Sequence, residues 1–518
     1  MGSVVRIVGR IAIVLLFVNF VFELLLVARI TLAPLVLSAI AVLLAMPWIG
    51  RRLGRWPVLG WGWARGALIA TLLAIAAVWL DAGNRIDVVR SATVFRGATI
   101  ITGEPGAAVI PNGVVVVDAS GRITSVGPAA AVPIPNGHDV VDLAGRFLMP
   151  GLINAHGHLL LNGRVPGEPH APPNLLSSPL LRKAVFTFFR TYPGRRVVLR
   201  MMERNAERAL HSGVTTLRGM GDPEFVDVAL RRRIDQGRVL GPRLRVSGPL
   251  LVITGGHAHE IGLVADGPIE ARRAVRYALS HEVDHIKISS TGGVSDSRRL
   301  GEAGELQMTP DEIAAITDEA HRKNLLVAAH AESAQGVKEA LRAGVDNIEH
   351  GAELDAESIR LFKDNPRSLR GYTTLHPTLS VIAGDRELTE EMAQDPALNI
   401  RFLNGEEIKE AMITGFRQAL AGGVKIGVGT DAGLVDHGSV WKEMQYFVEV
   451  GGISRELALH LGTLGTAESI GLEGITGSVA PGKFADLLVV DEDPRRDLST
   501  LARPRLVVTA GLIIQEYR

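Results

Sequence analysis

The feature that most constrains this chain is a repeated placement: short apolar runs, each ending near a side chain able to bind a metal. Asn154-Ala-His-Gly-His158 supplies two histidines and His285-Ile-Lys-Ile-Ser289 a lysine, Lys287. Val327-Ala-Ala-His330, Asn347-Ile-Glu-His350 and Gly429-Thr-Asp431 add His330, His350 and Asp431. Side chains of a strand repeat every two residues, so His156 and His158 point to one face, at chelating distance. The later residues fall where other buried strands would run out into Gly-containing or polar loops. Parallel barrels gather functional side chains from several strands at those carboxyl ends. The expected class is therefore α/β, with a TIM-like (β/α)8 barrel.

Eight strand candidates fit that expectation. The first ends at His158, the second is Val214–Arg218, the third Leu244–Ile253, and the fourth carries Lys287. The fifth and sixth end at His330 and His350, the seventh is Tyr372–Leu379 and the eighth Val424–Asp431. Helical patterns such as Thr309–Lys323 and Ser333–Ala343 lie between them, and Thr309-Pro-Asp-Glu312 reads as a helix start.

Pro150-Gly-Leu-Ile-Asn-Ala-His-Gly-His158, the lone lysine of Ile286-Lys-Ile-Ser-Ser-Thr-Gly-Gly293, the two later histidines and Gly429-Thr-Asp-Ala-Gly433 together resemble the metal-dependent amidohydrolase superfamily. The similarity covers residues 88 to 518 and leans toward binuclear imidodipeptidases and related carboxypeptidases, with imidazolonepropionase more distant. What it implies is a hydrolase of amide, dipeptide-like or cyclic-amide C–N bonds, acting through a hydroxide that bridges two divalent ions, with zinc the expected metal. His156, His158 and Asp431 would hold one ion, and His330 and His350 the other. Lys287, carboxylated by carbon dioxide, would bridge them, and Asp431 would also carry the proton from water to the leaving nitrogen. The need is chemical: amides are poor electrophiles and neutral water a poor nucleophile, so a metal must lower the pKa of water and polarise the carbonyl. A lysine between Ile286 and Ile288 is also hard to read as a surface residue.

Other chemistries find less support. His281-Glu-Val-Asp-His285 spells the H-E-x-x-H of zinc metalloproteases. A helical pattern ends there and a strand begins, so the two histidines could not chelate together. The chain has no cysteine, which excludes thiol catalysis and cysteine-based zinc sites. A formal net charge of zero gives nucleic-acid binding no electrostatic support. An esterase, lactonase or phosphotriesterase using the same centre is the alternative reading. A metal-free scaffold would have to lack several ligands, whereas all six are present.

Outside the barrel, residues 1–83 hold three apolar stretches, Ile11–Ala28, Leu32–Trp48 and Ala67–Leu80, expected to form a multi-pass membrane anchor in a lipid bilayer. Arg51, Arg52, Arg55 and Arg65 crowd the second connection, which the positive-inside rule places in the cytoplasm. Three crossings then put the catalytic part in the periplasm or outside the cell. Residues 88–150 and 476–518 carry strands a barrel does not need, among them the hairpin Gly113–Asp118 with Arg122–Val126, and the strands Phe484–Val490 and Leu506–Ile514. They are expected to form one composite β-sandwich, with the barrel of residues 151–475 inserted in it. Arg218, His257, His259, His376 and Glu332 fall at or just beyond strand ends, where they could line a small-molecule or dipeptide-like substrate pocket. His257 in Gly255-Gly-His257 is the first choice for a contact to the substrate's carbonyl or carboxylate. Relatives often carry Tyr or His where Glu332 stands, and an acid there would repel a carboxylate and attract an amine. Quaternary state is left open, a homo-oligomer included.

Overall fold

The computed structural model describes residues 91–163, 179–383 and 396–516. The three apolar amino-terminal stretches lie outside these, and among the described residues no helix is long and apolar enough to cross a membrane. Two compact units are distinguished, residues 1–84 with 166–201, and residues 85–165 with 202–518. The helix Pro179–Phe189 lies in the first unit.

Five strands open the second unit: β1 (Thr93–Ile100), β2 (Ile110–Val117), β3 (Ile123–Pro128), β4 (Asp139–Asp142) and β5 (Phe147–Pro150). The barrel strands follow: β6 (Leu152–Gly157), β7 (Val214–Gly219), β8 (Arg243–Arg245), β9 (Leu251–Val252), β10 (Leu263–Val264), β11 (Ile286–Ser289), β12 (Val327–Ala331), β13 (Asn347–His350) and β14 (Thr374–His376). The chain then returns to the first layer with β15 (Leu487–Val490), β16 (Leu506–Thr509) and β17 (Leu512–Glu516).

The first and last groups join in one eight-stranded sheet ordered β17-β16-β15-β5-β1-β2-β3, with β4 also on β1. The expected pair of sheets is thus a single hydrogen-bonded one. Its two flanks still share a core, because Phe95, Val115, Val117 and Ile123 pack in one cluster with Leu487, Val489, Leu506 and Val508. The run Leu506–Ile514, expected as one strand, is a hairpin instead. Ala510 (φ 46°) and Gly511 (φ 79°) turn it, and β16 and β17 pair antiparallel across the turn.

Barrel strands pair in parallel, β6-β7-β8 in one sheet and β10-β9-β11-β12-β13-β14 in another. The expected third strand, Leu244–Ile253, is broken into β8 and β9 at Ser247-Gly248-Pro249, where Gly248 takes φ 64° and Pro offers no N–H to a ladder. This broken strand links the two sheets, since β8 bonds to β7 and β9 to β11. The expected eighth strand is not a regular strand, and the seventh is only three residues long. The segment from 424 to 432 nevertheless closes the ring. Gly427 N donates to Leu375 O (3.0 Å), Ala155 N to Val428 O (2.9 Å) and His158 N to Ala432 O (2.7 Å). A β-carbon on Gly429 would stand 2.9 Å from His156 Cβ, so the close approach itself requires glycine.

Local chemistry explains the helices that buttress this ring. Pro310–His321 starts with a full capping box between Thr309 and Glu312 and has Pro at its first turn. Ala334–Ala343 is capped by Ser333 and stopped by Gly344 at φ 96°.

Candidate metal centre

The carboxyl ends of β6, β11, β12, β13 and the closing segment bring the expected ligands together. His156 and His158 face the same way, with ring centroids 5.4 Å apart. Asp431 Oδ1 lies 3.4 Å from His156 Nε2 and 3.1 Å from His158 Nε2. His350 packs 5.1 Å from His156 and 4.6 Å from His330, centroid to centroid. Two groups able to hold an ion result, His156-His158-Asp431 and His330-Glu332-His350. Lys287 is 2% exposed and its Nζ has no hydrogen-bond partner.

Two of these residues sit where an L-amino acid is strained. His350 has φ 70° and Asp431 φ 56°, both in the left-handed region at the end of a strand position. Such backbone costs of order 1–3 kcal/mol each and gathers at functional sites. Here it turns each side chain out of its strand and toward the others.

Electrostatics favours neutral imidazoles here. Burial pushes His156 down to about 4, assisted by the neighbouring Lys287 ammonium. His330 and His350 are held well below the usual histidine range, mainly by burial. Burial alone would raise Asp431, but His156 and His158 outweigh it and keep the carboxyl far below the usual range. Lys287 is brought down to about 8, chiefly by burial, which frees its amine at accessible pH. Burial lifts Glu332 to about 8, helped by Asp431 and Asp296. Lone pairs and carboxylates that converge with unpartnered atoms (Lys287 Nζ, Glu332 Oε2, Asp431 Oδ1) are the donor set a divalent cation needs.

Beneath the centre lies a buried network that sequence reasoning missed. Glu349, fully buried in β13, accepts from His156 Nδ1 (2.8 Å) and from Arg218 Nη2 (2.6 Å), and lies 3.1 Å from His376 Nδ1. Arg218 also donates to Ala155 O (2.7 Å) and to Asn347 Oδ1 (2.7 Å), while Ser469 Oγ pairs with His376 Nε2 at 2.9 Å. With Nδ1 donating, the lone pair of His156 stays on Nε2, facing Asp431 and His158. Two expectations are corrected by this. Arg218 and His376, expected to line the substrate pocket, instead have their polar atoms taken up in this network below His156. The signal was available: an acid between Ile348 and His350, and an arginine closing Val214–Arg218, both in apolar strands, need each other.

His257, expected to contact the substrate, has other partners. Its ring stacks on His330 at 4.6 Å, which puts it beside the centre. Asp296 was missed; its Oδ1 lies 2.6 Å from His257 Nδ1 and its Oδ2 accepts from Ala258 N (2.7 Å). Burial would raise Asp296, yet the hydrogen bond from His257 prevails and lowers it. His259 instead stabilises a turn, with Nδ1 accepting from Gly255 N at 3.2 Å. His281 stacks on Phe225 at 3.9 Å, and His285 is buried ahead of β11. His281 is thus on the outside of the barrel rather than paired over a metal.

The sequence profile of the amidohydrolase family matches residues 147–514. The chain belongs to that family. The ochratoxinase of Aspergillus niger is 26% identical over 332 residues, covering 59% of this chain, which in turn spans 66% of the ochratoxinase. A candidate prolidase of Bifidobacterium longum is 37% identical, with a TM-score of 0.69 over 83% of this chain and 97% of that one. A Xaa-Pro dipeptidase solved with methionine in its active site is 29% identical, with a TM-score of 0.69 over 82% of this chain and all of its own.

Proposed function

We propose that this chain is a metal-dependent hydrolase of small amide or dipeptide-like C–N bonds. The observation that carries the reading is the convergence of His156, His158, Asp431, His330 and His350 around the unpartnered Lys287. Relatives acting on Xaa-Pro dipeptides support the substrate class. So does the resemblance to the ochratoxinase, although this chain spans only part of that protein.

Two divalent ions, zinc by expectation, would be held by His156, His158 and Asp431 on one side and by His330 and His350 on the other. When bound they would supply an acidified water and a polarised carbonyl. Lys287, whose free amine adds to carbon dioxide with loss of one proton, would become a carbamate offering one oxygen to each side. Asp431 would take the proton from the attacking water as the new C–O bond forms. It would then pass that proton to the nitrogen as the C–N bond breaks, so no amide anion has to leave. Glu349 would keep the His156 tautomer fixed, and Asp296 would orient His257 toward the substrate's carbonyl or carboxylate.

We extend the reading to location. The apolar stretches at Ile11–Ala28, Leu32–Trp48 and Ala67–Leu80 would anchor the enzyme in the membrane with its catalytic part outside the cytoplasm. The enzymatic test is a panel of dipeptides, N-acyl amino acids and cyclic amides offered to metal-loaded protein. Turnover of at least one class is expected. Inertness toward all of them, with turnover of lactones or phosphotriesters, would replace the amidase reading with the alternative.

A further inference from the structure

Glu332 follows β12 immediately and stands two residues after His330, so the extended chain presents both on one face. It is 8% exposed, and its Oε2 has no hydrogen-bond partner. His330 Nε2 is 3.8 Å away, too far for a hydrogen bond, and donates instead to Gly292 O (3.1 Å). Lys287, Asp431 and Asp296 all act on its charge, so the carboxyl is buried with two other acids. A buried carboxylate in that company is costly unless a cation meets it. One ligand atom from each of His330, Glu332 and His350 lies within 4.8 Å of the others. Ligands at about 2.0–2.2 Å from a shared zinc are themselves roughly 3–3.5 Å apart, so a small closure brings the three together.

We propose that Glu332 is a direct protein ligand of the second ion, completing a two-histidine, one-glutamate site with His330 and His350. The proposal rests on the binuclear reading above and deepens it. Carboxylate with two imidazoles is an established donor set for zinc, and it leaves further positions open. The second ion is then fixed by three side chains of the protein itself, and the Lys287 carbamate links it to the first without having to hold it alone. The anionic side chain is also spent on the metal, so the pocket carries no built-in demand for a substrate amine.

The test is a competition titration of chelator-stripped full-length protein with zinc and a chromophoric chelator, comparing the parent with Glu332→Gln and Glu332→Asp. The parent is expected to bind two ions. In Glu332→Gln the first ion should keep its affinity within about twofold. Loss of outer partners costs metal sites about 10–100-fold, so removal of a direct ligand should weaken the second ion by at least about 100-fold. Glu332→Asp, with the same charge and shorter reach, should lie between. Cobalt-substituted parent should also show a second-site absorption band that Glu332→Gln lacks. Retention of the first ion reports that each variant is folded. If the parent binds two ions and Glu332→Gln binds both with unchanged affinity, Glu332 is not a ligand and the binuclear reading stands. That result combined with a KM rise confined to amine-bearing substrates would assign the carboxylate to substrate instead. A parent that binds one ion overturns the binuclear reading and this proposal with it.

Discussion

Replacing Glu349 with Gln should separate two jobs that one buried carboxylate performs. Both Glu349 and Arg218 are out of solvent, at 0% and 1% exposure, and their charges meet at 2.6 Å. A glutamine of nearly equal shape removes the negative charge and leaves the guanidinium uncompensated. It also offers one acceptor oxygen where two donors, His156 Nδ1 and Arg218 Nη2, now point at two. Its amide must therefore face another donor. Breaking one side of a buried ion pair costs about 3–5 kcal/mol, and that is the expected loss of stability in chelator-stripped protein under urea. The second consequence is on metal. Without the carboxylate behind Nδ1, the tautomer and ring angle of His156 are no longer fixed, and first-site affinity should fall about 10–100-fold, equal to about 1.4–2.7 kcal/mol. Adding Arg218→Met discriminates the two, since it removes the stranded charge while restoring nothing at His156. Stability should recover in the double variant, and zinc affinity should not. A single variant that loses less than about 1 kcal/mol and binds zinc as the parent does would refute the assignment of this network.

Four further outcomes are expected. Lys287→Ala should weaken the second ion by at least about tenfold and abolish most turnover, with partial rescue by short carboxylic acids, as followed by elemental analysis and amide hydrolysis. Asp431→Asn should stop amide turnover but spare activated esters more, whose leaving groups need no proton; equal losses on both would remove the shuttle role. His437, buried and held at about 4 by that burial, donates from Nε2 to Leu161 O. Its folded value lies below the ordinary 6.5, so its contribution is complete above 6.5 and is lost as pH falls toward 4, by up to about 3 kcal/mol. His437→Gln should flatten that part of the urea-stability profile, and an unchanged slope would count against it. Reporters active only outside the cytoplasm should work when fused after Asp81 and fail when fused near Arg52, and the reverse pattern would place the enzyme inside.

The convergence of the candidate ligands was legible because it depends on local rules. Two-residue periodicity alone puts His156 and His158 on one face, and a lysine between two isoleucines in a short apolar run is hard to read as a surface residue. The turn between β2 and β3 is equally local, and the helix start at Thr309 is found where its Pro and Glu312 place it. Where reading failed, the deciding interactions connect distant parts of the chain. Arg218 was legible as a polar residue at a strand end, yet its partner Glu349 is 131 positions away, and only the closed barrel makes them neighbours. The same holds for His376 and Ser469, 93 positions apart, and for Asp296 with His257.

The eighth strand shows why such failures concentrate near the site. A regular ladder from Val424 to Asp431 would carry Asp431 along the strand direction, with its side chain on one alternating face. The observed segment instead gives up regular pairing, crowds against His156 through Gly429, and ends with Asp431 at φ 56°. His350 leaves β13 in the same left-handed conformation. Periodicity places a residue on a face but cannot foresee a turn that costs energy locally, because the return lies in what the turned side chain meets. Here two such turns aim a carboxylate and an imidazole at the same few ångströms as His156, where a cation would repay the strain that neither strand has reason to bear alone.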